Sequence, residues 1–192
     1  MLIKIQFKII YSIINFLKFS FMGKYSEKSG NNELKGSVTC GYSGKTTMIS
    51  ALNKLKEAYK IAETEDVSTP PNSVVLYSIS YLPTRENKDK AMAYLYEHKE
   101  CYTLDDTLCG KKLIALGLET GNGCPDSEIL KVWALASKRF IAAALGNVVA
   151  FVSGADLRST FVSVELPHIL QNEYIEQING EDKFVFAKQF NL

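Results

Sequence analysis

The chain is poor in histidine and carries no large excess of either charge. Its 192 residues include two histidines, His98 and His168, which are too few and too scattered to complete a zinc site, and the cysteine spacing matches no zinc pattern. Lysine and arginine number 22 against 21 acidic residues, so no global field favours nucleic acid or an anionic membrane. Apolar residues make up an ordinary share of the chain, which argues against extensive disorder. Composition therefore indicates one domain of the α/β or α+β class.

A long, uninterrupted apolar run is also lacking. Lys4 and Lys8 precede an apolar stretch, Ile9 to Leu17, which Lys18 interrupts. A membrane-spanning helix needs about 20 apolar residues, so this stretch is too short and too broken to be one. A basic start followed by about 7–15 apolar residues is typical of a secretory signal, so we predict a signal peptide or an uncleaved signal anchor. The alternative is an amphipathic or buried helix.

This interpretation divides the chain into three parts. Residues 1–24 are the signal peptide or signal anchor, which implies the secretory pathway and a protein that is secreted or membrane-anchored. Residues 25–36 are polar and rich in glycine and asparagine, which predicts a linker. Residues 37–192 form the domain, which the signal would place outside the cytoplasm.

Four cysteines, Cys40, Cys101, Cys109 and Cys124, are compatible with that compartment. Four cysteines allow three pairings, and the sequence does not choose among them. The pair Cys109–Cys124 closes a short loop and is the one we favour. The alternative is that some of the four are buried thiols.

Hydrophobic periodicity predicts helices in the first part of the domain and strands toward its end. Helices are predicted at Met48–Ala62, Lys88–Glu97, Thr103–Gly117 and Asp126–Leu145, and strands at Val74–Tyr81, Val148–Val152, Thr160–Leu166 and Tyr174–Ile178. Together they predict an α+β fold. A helix-rich amino-terminal portion packs on a small, mostly parallel sheet, with a pocket between them.

Residues 41–47 end as a phosphate-binding loop does, with Gly44, Lys45 and Thr46 opening a helix. The full pattern needs another glycine five residues before Gly44, where this chain has Thr39. The preceding stretch is also short and polar, whereas such a loop follows a buried strand. A nucleotide-binding loop is therefore the less favoured alternative, and a solvated helix start accounts for the same residues.

A few polar and aromatic residues stand out in the second half. Asp105 and Asp106 lie in the first turn of a predicted helix, where acids cap free N–H groups; capping accounts for Asp106 and leaves Asp105 free to point elsewhere. Trp133 lies on an apolar helix face with Ser137 one turn later, and alternation puts Glu165 on a strand face away from the core. On spacing alone, core packing is the default interpretation of Trp133 and exposure on a strand is that of Glu165. Together, however, they would suit a flat cationic heterocycle beside a developing sugar cation.

Three blocks, Tyr102–Gly110, Val132–Phe140 and Ser159–Pro167, resemble the ADP-ribosyl cyclase / NAD glycohydrolase family in order and spacing. That family carries a Thr-Leu-Glu-Asp-Thr-Leu-x-Gly block, a Phe-Trp-x-x-x-Ser helix and a Ser-x-Phe-x-x-x-Glu strand. The similarity reaches back to Pro71–Ser78 and covers about half of the chain. It implies the fold of that family with a shortened carboxyl-terminal lobe, because only 25 residues follow Pro167.

The resemblance implies that NAD is the substrate and that its nicotinamide–ribose bond is cleaved, giving nicotinamide with cyclic ADP-ribose, ADP-ribose or both. It implies no metal and no cofactor, and it leaves the oligomeric state open. Glu165 matches the catalytic glutamate. The matching substrate-binding positions are Trp133 and Tyr77 against nicotinamide, Asp105 and Asp106 at that same end, Ser137 near the ribose and phosphates, and Thr160 and Phe161 at the diphosphate. The alternative is a catalytically weak NAD-binding or cell-surface interaction protein.

The chain departs from the family at several of these positions. Tyr77 stands where the family has a tryptophan, and Ile79 where some members have a phosphate-binding arginine. Asp105 replaces a glutamate and is one methylene shorter. Pro71 and Leu145 occupy two positions that some members join by a disulfide. These changes bear on rate and product choice more than on the reaction itself.

Overall fold

The computed structural model describes residues 43–79, 82–118 and 126–191, with the side chains of residues 43–49 and of residue 126 excluded. The predicted signal segment and linker, together with Cys40 and Cys124, lie outside the described residues. Within the ranges that are described, no helix is both long enough and apolar enough to span a membrane.

The described residues form six α-helices and four short strands. The helices are α1 (Ser43–Thr64), α2 (Glu86–Glu97), α3 (Leu108–Ala115), α4 (Asp126–Ala143), α5 (Leu166–Gln171) and α6 (Lys183–Ala187). The strands are β1 (Val74–Tyr77), β2 (Val148–Phe151), β3 (Gln177–Ile178) and β4 (Glu181–Asp182). Two 3₁₀ turns (Leu104–Asp106 and Lys188–Phe190) and a π-helical turn (Phe161–Glu165) complete the fold.

The four strands form one sheet in the order β1-β2-β3-β4. β1 and β2 are parallel, with Val74 opposite Val148 and Tyr77 opposite Phe151. β3 continues parallel to β2, and β4 pairs with β3 antiparallel. The predicted α+β fold with a small, mostly parallel sheet is confirmed, although the strand predicted at Tyr174–Ile178 is shorter than expected.

The core lies where α1 and α4 pack together beside β1. Ala58 and Ala62 of α1 are fully buried, as are Val132 and Ala136 of α4. Three successive residues of β1, Val74–Leu76, are at most 3% exposed. A strand buried on both faces is typical of a parallel sheet covered by helices.

The segment predicted as one helix from Thr103 to Gly117 consists of two helical pieces. Thr103 opens the 3₁₀ turn, and its backbone N–H and hydroxyl donate to Asp106 Oδ2 at 2.8 and 2.7 Å, which is the predicted capping box. Thr107 then caps α3, because its Oγ1 accepts from the backbone N–H of Gly110 at 3.0 Å. Gly117 has a φ of 71° just beyond α3, so the predicted helix stop is confirmed.

The strand predicted at Thr160–Leu166 is wrong, because the π-helical turn and the start of α5 occupy these residues. Alternating β-branched residues suggested a period of two. The buried residues instead follow helical spacing: Phe161, Val162, Glu165, Leu166 and Ile169. The expectation that Glu165 points away from the core therefore fails as well, since one helical face carries all five.

The predicted pair Cys109–Cys124 includes a residue outside the described ranges, so the pairing stays a prediction; in the structure Cys109 is a free thiol. Its side chain is fully buried where α3 meets α1, and Sγ donates to the carbonyl oxygen of Ile61 at 3.6 Å. Burial also raises the pKa of this thiol. Cys109 thus behaves as a core residue, which is the alternative that the sequence left open.

Gly110 allows α3 to close on the preceding 3₁₀ turn. A Cβ at Gly110 would overlap the carbonyl oxygen of Leu104 and lie 2.7 Å from Cα of Asp105. Both neighbours are backbone atoms, which cannot move aside as the end of a flexible side chain can. The turn that carries Asp105 can therefore lie this close to α3 only because Gly110 has no side chain.

We predict that Gly110→Ala lowers the free energy of unfolding by roughly 1–3 kcal/mol or more, through overpacking. Helix propensity alone predicts the opposite sign, since alanine stabilises a helix interior by roughly 0.5–1 kcal/mol over glycine. Urea unfolding distinguishes the two. Gly180→Ala is a useful control, because its Cβ would meet nothing within 4 Å and only the strain of a φ of 80° remains. A Gly110→Ala protein as stable as wild type would contradict the packing argument.

Candidate functional site

A cavity of about 580 Å³ opens beside the carboxyl end of β1, within the usual size range of small-molecule sites. Its walls come from the end of β1, the start of α2, the first 3₁₀ turn, α4 and the π-helical turn. Seven of the eight predicted site residues line it: Tyr77, Asp105, Trp133, Ser137, Thr160, Phe161 and Glu165. The structure thus brings together residues from blocks that are far apart in the sequence.

The π-helical turn sets the position of Glu165. The backbone N–H of Leu166 bonds to the carbonyl oxygen of Phe161, five residues back, in place of the usual four. Pro167 follows and has no N–H, so it cannot donate to Ser163 in an ordinary helical bond. Such wide turns are frequent at functional sites. Here the turn leaves the Glu165 residue 8% exposed, at the wall of the cavity.

Burial changes the acidity of Glu165. Loss of water raises the pKa of its carboxyl group to about 7, and the Ser137 hydroxyl opposes part of that rise through a hydrogen bond. Among the residues that the structure describes, no lysine or arginine contributes to this pKa or forms an ion pair with Glu165. The carboxylate form therefore lacks a compensating cation from the described part of the protein.

Helix α4 presents one face to the core and another to the cavity. Val132, Ala136 and Phe140 are at most 1% exposed and belong to the core. Trp133 and Ser137, one turn apart, line the cavity. Trp133 also packs against the core along part of its surface, so the core role and the pocket role expected from the sequence coexist in one side chain.

The two predicted acids are in different situations. Asp105 lines the cavity, where its Oδ2 accepts a hydrogen bond from the Tyr77 hydroxyl at 2.7 Å and lies 3.7 Å from Nζ of Lys88. Asp106 does not line the cavity, because its Oδ2 accepts both bonds of the Thr103 capping box. The acidic pair expected from the resemblance is therefore a single pocket acid, Asp105.

The cavity-lining residues that were not predicted as site residues include Ser78, Arg85 and Lys88. Ser78 Oγ is buried without a hydrogen-bond partner, and its place at the end of the Pro71–Ser78 similarity was a usable signal. Arg85 and Lys88 belong to none of the similar blocks, so only the fold reveals them. Asn87 holds this end of α2 in place, because its Nδ2 donates to the carbonyl oxygens of Ser78 at 2.8 Å and Ser153 at 3.0 Å.

The cavity carries both signs of charge. Glu165 and Asp105 contribute acids, and Arg85 and Lys88 contribute cations at the start of α2. Such a lining suits a ligand that has both a cationic and an anionic part. Across residues 43–79, 82–118 and 126–191, no group of three His, Cys, Asp or Glu side chains is placed to hold a metal ion.

Solved structures similar to the chain include an ADP ribosyl cyclase complexed with N1-cIDPR, at 19% identity and a TM-score of 0.43, with 66% of this chain and 62% of that chain covered. Aplysia cyclase complexed with substrate NGD and product cGDPR has 22% identity and a TM-score of 0.44, with coverage of 64% and 52%. Porcine CD38 with a covalent intermediate has 20% identity and a TM-score of 0.42, with coverage of 72% and 78%. The chain spans less than two thirds of the length of either cyclase. No protein-family model and no curated protein matches it.

The raised pKa of Glu165 makes stability depend on pH. Below the ordinary value of 4.5 the carboxyl group is protonated in both folded and unfolded chains. Between pH 4.5 and 7 only the unfolded chain releases the proton, so stability falls as pH rises and the loss is complete above the folded pKa of about 7. A shift of this size corresponds to about 3 kcal/mol.

We therefore predict that Glu165→Gln stabilises the protein relative to wild type by up to about 3 kcal/mol at pH 8, and that most of this gain disappears by pH 4.5. Urea unfolding of both proteins across that range measures the difference. Glu173→Gln, the same change at an exposed position, serves as the control. A difference for Glu165→Gln that does not vary with pH would mean that the buried carboxyl group ionises normally.

Proposed function

We propose that this protein cleaves the nicotinamide–ribose bond of NAD and releases nicotinamide with ADP-ribose, cyclic ADP-ribose or both. The observation that supports this most directly is the buried Glu165 carboxyl group in a cavity shared with Trp133. An acid without a cation from the described residues suits a ligand that brings or develops positive charge. The sequence resemblance supplies the identity of that ligand.

In the proposed reaction the bond between C1′ of the ribose and the nicotinamide nitrogen breaks, and its electron pair leaves with neutral nicotinamide. The ribosyl cation that remains is stabilised by the Glu165 carboxylate, which acts strongly because little water screens it. Attack by water then gives ADP-ribose and one proton, while attack by the tethered adenine ring gives the cyclic product. The cationic ring of bound NAD also lowers the pKa of Glu165, so the substrate favours the ionised form.

The other cavity residues receive roles that their positions support. Trp133 stacks on the pyridinium ring, a contact worth about 0.5–2 kcal/mol. Ser137 bonds to Glu165 in the free protein and lies near the ribose. Thr160 contacts the diphosphate, whereas Phe161 is 1% exposed and packs on Phe190, so its side chain mainly supports that wall.

No metal and no cofactor is part of this proposal, because NAD is the substrate and nicotinamide is already a good leaving group. The signal predicted over residues 1–24 would place the reaction in the secretory pathway, and that location is part of the proposal. Nucleotide binding by residues 41–47, whose side chains lie outside the described part of the structure, is the less favoured alternative, and the same assay tests it when ATP or GTP replaces NAD.

We predict that Glu165→Gln retains the fold and NAD binding but loses about 10²–10³-fold in turnover, as other removed electrostatic stabilisers do. Separation of nicotinamide, ADP-ribose and cyclic ADP-ribose by chromatography at early times measures the rate and the product ratio. Glu173→Gln serves as the matched control and should keep the wild-type rate. If Glu165→Gln kept more than half of that rate, Glu165 would not be the catalytic residue.

We also predict that Trp133→Ala weakens the handling of NAD and that Trp133→Phe restores part of it, because a phenyl ring still stacks. Loss of the core contact should destabilise the alanine variant as well, by about 3–5 kcal/mol at most. Thermal melting beside steady-state kinetics separates the two effects. Unchanged kinetics in a destabilised alanine variant would remove Trp133 from the substrate site.

A further inference from the structure

We propose that Lys88 is a positioning residue: through Asp105 it fixes the ring of Tyr77 as an aromatic wall of the pocket. The inference rests on the proposed function and assigns it a residue outside all the similar sequence blocks.

Three elements meet at this wall. Tyr77 ends β1, Asp105 lies in the 3₁₀ turn and Lys88 lies in the first turn of α2. The Tyr77 hydroxyl donates to Asp105 Oδ2 at 2.7 Å, and Nζ of Lys88 lies 3.7 Å from the same oxygen. Nζ also lies 5.3 Å from the centroid of the Tyr77 ring, within the range of a cation–π contact. Lys88 therefore touches both other members of the cluster.

The burial of this ion pair distinguishes it from a surface pair on the same helix. The side chains of Lys88 and Asp105 are 16% and 24% exposed, whereas those of Lys90 and Glu86 are 53% and 66% exposed. Water and salt screen an exposed pair far more than a partly buried one. The Lys88–Asp105 pair can therefore help to keep these side chains in position. Lys90, two residues away, provides a matched control.

The cluster has a rigid base. Asn87, next to Lys88, is 4% exposed and ties α2 to the carbonyl oxygens of Ser78 and Ser153. Gly110 lets α3 close on the turn that carries Asp105. Because both anchoring groups stand on fixed backbone, the hydroxyl bond of Tyr77 restricts where its ring can lie.

The arrangement also sets the charge of the wall. Lys88 offsets the charge of the Asp105 carboxylate beside the Tyr77 ring. A cationic ring would be held here by stacking. Glu165 remains the cavity acid that no described lysine or arginine neutralises. Loss of Lys88 should therefore act on binding, through a less ordered wall, and leave the bond-breaking step largely intact.

We expect Lys88→Met to raise KM for NAD about 3–10-fold, with kcat within about twofold of wild type. This pattern indicates the loss of an interaction that stabilises bound substrate and transition state equally. Lys88→Arg keeps the cation and should restore most of the binding. Lys90→Met should match wild type. If Lys88→Met and Lys90→Met gave the same KM, or if arginine failed to rescue, the proposal would be overturned.

A double-mutant cycle separates positioning from direct contact with substrate phosphates. If Lys88 acts through the Tyr77 hydroxyl, Lys88→Met should change KM little further in a Tyr77→Phe background. Multiplicative effects on KM would show a direct contact instead and would contradict the proposal. The cycle also distinguishes this inference from the proposed function, because it compares variants that all turn over NAD.

Wild-type protein that fails to cleave NAD would refute the proposed function and leave the cluster itself to be judged by melting temperature. The shifts in Tm caused by Lys88→Met and Tyr77→Phe should then be non-additive, since each change breaks the same cluster. Additive shifts, or no shift in either variant, would overturn the positioning role.

Discussion

The site depends on a carboxyl group that is almost out of reach of water. Burial of Glu165 works against folding above neutral pH, and within the described part of the chain no cation offsets it. Beyond the Ser137 hydrogen bond, a buried acid of this kind is stabilised by protonation or by a ligand that supplies positive charge. A cationic ligand could therefore form the ion pair that Glu165 lacks among the described residues. This is the basis of the catalytic role proposed for Glu165.

Local features of the fold hold this acid in place and build the pocket around it. The π-helical turn before Pro167 fixes Glu165, and Leu166 beside it is fully buried in the core. Helix α4 brings Trp133 and Ser137 to the cavity because another face of the helix packs in the core. The packing that forms the core therefore also sets the positions of these pocket residues.

The sequence predicted the elements whose periodicity is unambiguous, namely α1, α2, α4, β1 and β2. It failed at Thr160–Leu166, where β-branched residues alternate as in a strand but tertiary burial selects a helical face. The family resemblance named seven residues that the fold places around one cavity. It also named Asp106, for which the helix-capping argument was the correct one. The sequence could not predict Lys88 as a pocket residue, because only the packing of α2 against β1 brings it to the pocket.

Two of the departures from the family pattern, Tyr77 and Asp105, contact each other in the structure. A tryptophan in place of Tyr77 would have no hydroxyl to donate, and Asp105 is shorter than the glutamate it replaces. Here the Tyr77 hydroxyl donates to Asp105 Oδ2 at 2.7 Å, and Nζ of Lys88 lies 3.7 Å from the same oxygen. Tyr77 and Asp105 are therefore hydrogen-bonded to each other in the wall of the cavity. Lys88 offsets the Asp105 carboxylate, whereas no lysine or arginine among the described residues pairs with Glu165, so the two cavity acids differ in what they can offer a cationic ligand.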